Sequence, residues 1–242
     1  MKLYEESSLS AMIARASFWK SELDATLTQK SAIIRGLFDA DRLRAMKAWV
    51  YAFRQQHGLS GHMPYNEGTP DHVKLVDKPL TDRRPTRFVL SQFFPWNNDS
   101  RGNGDIGEIA MGLMTFRNLC SGLDPRAGFM DDQTFISWPS IIQYRQGGDF
   151  LAAHQDDYAF QCILILSDYG RDFQTGGNYY LGPEGHRFLE PDLQFGDVVL
   201  LKSDLVHGVH GIDPHLPLDD SAGGRWMMFC PLARRDSVLR KG

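Results

Sequence analysis

The spacing of hydrophobic positions changes partway along the chain. Leu43, Met46, Val50 and Phe53 recur three and four residues apart, which marks the apolar stripe of a helix. Gly58, after His57, is its expected stop. The stretch from Ser10 to Leu27 is rich in helix formers, so the first third reads as helical. Residues 58 to 86 gather Gly, Pro, Asn, Asp and His and read as one long loop. Arg87 to Phe94 reads as a strand that ends at Pro95. Ile106, Ile109, Ala110, Leu113 and Phe116 predict a helix from about 106 to 120. Asp105 is its expected N-cap, with Glu108 as the capping-box partner.

From residue 134 the elements shorten. Strands are predicted over 134–144, 150–154, 160–166, 178–181, 197–202, 206–212 and 225–231. Turn signals separate them: Gly147-Gly148, Asp168-Tyr169-Gly170, Gly176-Gly177, Gly182-Pro183 and Asp213-Pro214. Many short strands at this spacing predict an all-β barrel or sandwich behind the helices, hence a mainly β, α+β chain. Residues 1–242 are read as a single domain, with 1–133 as helical support and lid region and 134–231 as the core.

Composition narrows the function classes. The 242 residues suffice for a core without disulfides. Lys and Arg number 26 against 30 Asp and Glu, a net charge of -4, which gives no electrostatic reason to expect nucleic acid or an anionic membrane. Cys120, Cys162 and Cys230 are odd in number, far apart and set among apolar residues, so buried free thiols are expected. No stretch approaches the roughly 18 apolar residues of a membrane span. The acidic start, Glu5-Glu6, lacks a leader's apolar run. A soluble, cytoplasmic protein is the expectation; the oligomeric state is left open.

The chemistry concentrates in the β-rich part. His154 and Asp156 stand two apart on a strand-like segment and would share a face. With a histidine from a later strand they could hold a divalent iron on one side and leave the other open, an arrangement suited to oxygen chemistry. Alone, His-x-Asp is a weak signal, equally at home on a polar strand face. His207 and His210 compete for the third place; three apart, they would point to opposite faces of a strand. Arg225 opens an apolar strand and could clamp a carboxylate with its planar fork, or sit as an ordinary edge residue. His186 and His215, beside Gly and Pro, read as exposed loop residues.

Over residues 134 to 231 these motifs fall in a familiar order. Tyr144-x-x-Gly147-x-x-Phe150-x-x-x-His154-x-Asp156 resembles the strand that opens the site in Fe(II)/2-oxoglutarate-dependent dioxygenases, particularly their prolyl-hydroxylase-like branch. Phe173 to Asn178 looks like that family's glycine pair. Phe195 to Leu201 looks like its Gly-Asp-apolar strand, and His207 to Ile212 like its distal-histidine strand. The resemblance implies a double-stranded β-helix (jelly-roll, cupin-like) core packed on N-terminal helices. It implies Fe(II) on His154, Asp156 and His207, with 2-oxoglutarate as cosubstrate, dioxygen, and ascorbate as an optional reductant. Arg225 would take the far carboxylate of the cosubstrate. Tyr144 would hydrogen-bond it, or serve as a core tyrosine. Two departures stand out: the stretch from His207 to Arg225 is long, with 213–224 as an apparent insertion, and Met227 stands where a small hydroxyl residue is common.

The resemblance also bears on outcome. Related halogenases replace the carboxylate by a small residue, so Asp156 favours hydroxylation, with release of succinate and carbon dioxide. Nucleic-acid demethylases of this type carry a second arginine shortly after the first, and Pro231 stands six places after Arg225. A small-molecule substrate is expected, with a protein hydroxylase as the alternative and a non-catalytic cupin-like binding module as the reading from another class. Arg83, Arg84, Arg87, Trp96, Asn97 and Asn98, within Asp82 to Arg101, are expected to contribute a substrate lid.

Overall fold

The computed structural model describes residues 2–6, 8–15, 17–18, 21, 31–60, 65–100, 105–156, 160–182, 185–202 and 204–238. Much of the helix expected between Ser10 and Leu27 lies outside these residues. What is described of the first third is mixed rather than helical. Strand β1 (Lys2–Glu5), helix α1 (Leu9–Ala14) and strand β2 (Ser31–Arg35) precede helix α2 (Ala40–His57). The β-branched and apolar run Ser31-Ala32-Ile33-Ile34 is buried throughout, which suits a strand covered on both faces.

Helix α2 forms as its stripe predicts, with Leu43, Met46 and Val50 fully buried. The Asp39 carboxylate caps it, accepting from Arg42 N at 2.8 Å. Gly58 closes it at φ +66, a conformation that glycine adopts freely. The expected long loop contains strand β3 (His72–Lys78), paired antiparallel with β4 (Thr86–Gln92). The Pro and Gly around it mark the ends of a hairpin, not a continuous loop. Helix α3 (Asp105–Cys120) forms as predicted. Asp105 is its first residue rather than its cap, and Arg42 takes both acids, Asp105 at 2.6 Å and Glu108 beside it.

The predicted strand 134–144 breaks at Trp138-Pro139 into β5 (Phe135–Ser137) and β6 (Ser140–Tyr144). Then follow β7 (Phe150–His154), β8 (Phe160–Ile165), β9 (Gly177–Gly182), β10 (Gly185–Phe188), β11 (Val198–Lys202), β12 (Val206–His210), β13 (Arg225–Phe229), β14 (Leu232–Arg234) and a final turn, α4 (Arg235–Val238). A 12-stranded sheet runs β1-β2-β11-β8-β13-β6-β4-β7-β12-β9-β10, with β3 on the outside of β4. Strand β4 pairs β6 through Val89–Gln92 and β7 through Thr86 and Arg87, so it carries the sheet from one layer into the other. Among the described residues no helix is long and apolar enough to cross a membrane.

This curled, layered sheet is a double-stranded β-helix with flanking helices, and its strands alternate between two cores. Val199, Leu201, Ile163, Ile165, Met227 and Tyr144 point into the space between the layers. Their neighbours Val198, Leu200, Cys162, Leu164, Trp226 and Met228 point the other way, onto α2 and α3. All three cysteines are buried and free, as their apolar settings predict.

The stretch between β12 and β13 is firmly tied down. Asp213, at φ +41, accepts hydrogen bonds from Gln174 N, Thr175 N and Gln146 Nε2. Asp220 receives Arg54 and Arg145, each at 2.7 Å, and Gln143 Nε2 donates to the carbonyls of Ser221 and Gly223. Gly224 then turns the chain at φ +82, where a Cβ would lie 2.4 Å from the carbonyl oxygen of Tyr144. Gly224→Ala therefore combines a left-handed backbone with a backbone clash. It is expected to lower stability by more than about 2 kcal/mol, read as a fall in the urea midpoint.

Candidate active site

Strands β7 and β12 run antiparallel with His154 directly opposite His207. Side chains so paired face one another at close range, and the two ring centroids lie 4.4 Å apart. Each ring is held the same way: Nδ1 of His154 lies 3.0 Å from the Ala152 carbonyl, and Nδ1 of His207 lies 3.0 Å from that of Leu205. A carbonyl can only accept, so Nδ1 carries the proton and Nε2 keeps its lone pair. Asp156 lies just past the end of β7 rather than within it. Its Oδ1 is 3.5 Å from His154 Nε2, and its Oδ2 is 3.2 Å from His207 Nε2.

One atom from each of His154, Asp156 and His207 lies within 4.8 Å of the others, the only such group among the described residues. The donor set fits a ferrous ion: two neutral imidazoles and a carboxylate on one side. Asp156 Oδ2 is buried without a hydrogen-bond partner, as a waiting ligand atom would be. Burial pushes the Asp156 carboxyl upward; imidazoles that donate to it from Nε2 outweigh burial and hold it well below the usual carboxylate range, a role that a divalent ion on the same atoms would take over.

His210 lies on the opposite face of β12, exposed, as the alternation of strand side chains requires. His186 is also exposed but belongs to strand β10, not to a turn, and His215 is exposed in the loop after Asp213.

Arg225 and Tyr144 are directly opposed on β13 and β6 and both are fully buried. The guanidinium lies over the phenol ring, 5.8 Å from its centre. Its Nε donates to Glu190 Oε1 at 2.6 Å. Its Nη1 and Nη2, and the Tyr144 hydroxyl, are buried without partners. Burial foremost pushes the Tyr144 phenol up, with Asp149 and Asp156 adding to that and Arg225 opposing it, so the group stays a protonated donor. Three donors thus face one interior space and lack an acceptor, a costly state unless a ligand supplies one. A carboxylate has the right oxygens for Arg225's fork. The hydroxyl beside Arg225 comes from Tyr144 across the strand pair, while Met227, two places along β13, packs in the apolar interior.

Sequence reasoning missed Glu190. It is buried, begins a short 3-10 turn, and also accepts from Asn178 N at 2.6 Å. Gly177, at φ +116, leaves room for it; a Cβ there would lie 2.1 Å from Glu190 Cγ. Nothing local marks Glu190, because its partner stands thirty-five residues away.

The expected lid divides. Arg83 and Arg84 sit exposed in the β3–β4 turn, and Arg84 Nη2 donates to the Gln155 carbonyl beside Asp156. Arg87, on β4, approaches Asp149 at 3.4 Å. Trp96 and Asn97 turn away: both donate to the Thr69 carbonyl, and Trp96 stacks on Phe94 at 4.9 Å. The Asn98 side chain and Arg101 lie outside the described residues. A surface cavity of about 320 Å³ opens at Met111, Met114 and Met130, away from the His–Asp–His group; we assign the chemistry to the latter because, among the described residues, it alone brings three candidate ligand atoms together.

No protein-family model matches the chain, and no curated protein does. Solved structures do. A full-length Neurospora crassa protein in complex with alpha-KG and thymine aligns over 100% of this chain and 92% of its own, at 11% identity and a TM-score of 0.60. A prolyl hydroxylase from Trichoplax adhaerens, in complex with a hypoxia inducible factor peptide fragment, aligns over 92% and 90%, at 12% identity and 0.58. A Pseudomonas putida prolyl-4-hydroxylase aligns over 90% and 100%, at 16% identity and 0.51. The chain shares the fold of the 2OG-Fe(II) oxygenases, prolyl hydroxylases included.

Glu190→Ala leaves Arg225 buried and uncompensated. Loss of about 3–5 kcal/mol is expected, because removing one partner strands the other's charge. Equilibrium urea denaturation checks this; a variant within error of wild type would remove Glu190 from the support of Arg225.

Proposed function

We propose that the chain is an Fe(II)- and 2-oxoglutarate-dependent oxygenase that hydroxylates an unactivated C–H bond of a small molecule. The observation that carries this reading is the set of unpartnered buried donors, Arg225 Nη1 and Nη2 and the Tyr144 hydroxyl, in the same interior as a His–Asp–His group. The shared fold supports it. Ferrous iron with 2-oxoglutarate and dioxygen supplies the oxidation, the cosubstrate leaving as succinate and carbon dioxide.

The protein's part is to bind, orient and shield. His154 and His207 present Nε2 because backbone carbonyls hold Nδ1–H. Asp156 would supply the anionic ligand. Arg225 receives a carboxylate in its fork, oriented through Nε by Glu190, and Tyr144 adds a neutral hydrogen bond. The apolar interior formed by Ile163, Leu201, Val209 and Met227 keeps water from the reacting groups. We favour a small substrate, because Arg84 donates to the Gln155 carbonyl and so ties the β3–β4 turn to the chain beside Asp156. A peptide substrate is the other outcome of the same screen.

Succinate release should depend on added Fe(II) and stop with a chelator. Arg225→Lys keeps a charge but loses the fork, and is expected to weaken 2-oxoglutarate binding at least tenfold, about 1.4 kcal/mol, in calorimetric titration. Unchanged affinity in that variant would assign the cosubstrate to another site, and absence of any 2-oxoglutarate binding by wild type would favour a binding module.

Arg84→Ala should raise the Michaelis constant for the primary substrate more than it lowers turnover, while affinity for 2-oxoglutarate stays at the wild-type value. Steady-state kinetics, with succinate followed across a panel of small molecules and peptides, separate the two.

A further inference from the structure

The outer face of β12 carries a feature that the proposed reaction does not use. His210, at the end of β12, and His186, on β10, face each other across β9 with their Nε2 atoms 3.0 Å apart. Both rings stack on Tyr179 of β9, His210 at 4.1 Å and 23° and His186 at 4.5 Å and 24°. Tyr179 is itself seated by a glycine: a Cβ on Gly208 would lie 2.6 Å from the Tyr179 hydroxyl. The aromatic floor therefore restrains both imidazoles and leaves their Nε2 atoms convergent.

Two nitrogens bound at 2.0–2.1 Å to one ion and at right angles stand about 2.9 Å apart, against about 3.4 Å in a tetrahedral site. The 3.0 Å separation of this hydrogen-bonded pair already lies close to the right-angled case. From this the geometry points to a second metal site, in which His186 Nε2 and His210 Nε2 bind a late divalent transition metal, Cu(II) or Ni(II), in adjacent positions, with water completing the sphere. Imidazole nitrogens suit those ions, whereas Mg(II) and Ca(II) prefer oxygen ligands. Without metal, the 3.0 Å contact is a hydrogen bond from one Nε2–H to the other ring's lone pair. On binding, the donor ring shifts its proton to Nδ1, so both rings stay neutral. Both histidines are exposed, so an ion reaches them directly from solvent.

The site is separate from the His154–Asp156–His207 group but shares its framework. Strand β12 carries His207 inward and His210 outward, and β9 pairs along β12. A bound ion would tie β10 to β12 across β9, with no contact to the reacting groups.

Equilibrium dialysis of untagged, metal-free protein against Ni(II) tests this, with circular dichroism confirming that each variant is folded. Wild type should take up one equivalent more than His186→Gln or His210→Gln. In His207→Ala the remaining equivalent should show, as the Cu(II) complex, the electron paramagnetic resonance pattern of two coordinated nitrogens, and adding His210→Gln should abolish it. Uptake by His186→Gln and His210→Gln equal to wild type would overturn the proposal, as would a Cu(II) spectrum indifferent to His210. The iron reading fails separately: if His207→Ala binds as much metal as wild type while His186→Gln loses an equivalent, the outer pair stands and the inner group does not.

Discussion

A fully buried guanidinium sets the terms for the rest of the interior. Arg225 has no exposed surface, and an isolated charge in that position would be strongly unfavourable. Glu190 meets it at Nε, which neutralises the charge yet leaves both Nη groups unpaired. A counter-ion placed across the two Nη atoms would have closed the fork to any ligand. The side-on geometry gives Arg225 enough stabilisation to be buried and enough unmet demand to bind a carboxylate. Gly177 and Asn178 follow from this constraint, since one leaves space for Glu190 and the other donates to it.

The same constraint explains the care with which the preceding segment is fixed. Arg225 opens β13, so the path of 213–224 decides where the guanidinium enters the sheet. Asp213, Asp220 and Gln143 tie that path to β6 and to α2, the last through Arg54. Gln143 adjoins Tyr144 in the chain, so one strand both anchors residues 213–224 and supplies the phenol. The length between His207 and Arg225 looked like the weak point of the sequence match; in the structure it is one of the more densely bonded segments.

What could be read from the sequence follows the range of the interactions involved. The stripe of α2 and the period-two strands reflect local burial, and they emerged with bounds within a few residues. Alternation on a strand set His207 and His210 on opposite faces, so only one could be a ligand, and the family-like spacing around His207 chose between them. Strands β1 and β2 were missed because their pairing is with each other and with β11, far along the chain. Strand β3 was hidden by turn residues at its ends. Glu190 and the clamp on Asp220 depend on partners 35 and 166 residues away, and no local spacing records such contacts.

Charge balance links the two halves of the inner site. Asp156 is the one anionic ligand of the His–Asp–His group, so a divalent ion there leaves a net positive centre. At the other end Arg225 and Glu190 cancel. A doubly charged keto acid bridging the two would meet a positive centre with one end and a neutralised but unsatisfied fork with the other. Its near end would then be bound chiefly by charge and its far end chiefly by hydrogen-bond geometry, with Tyr144 contributing to the latter alone. Selectivity against a longer or shorter diacid would then rest on the fixed positions of β6 and β13 relative to β7 and β12. Strand β4, which pairs with both β6 and β7, sets that spacing.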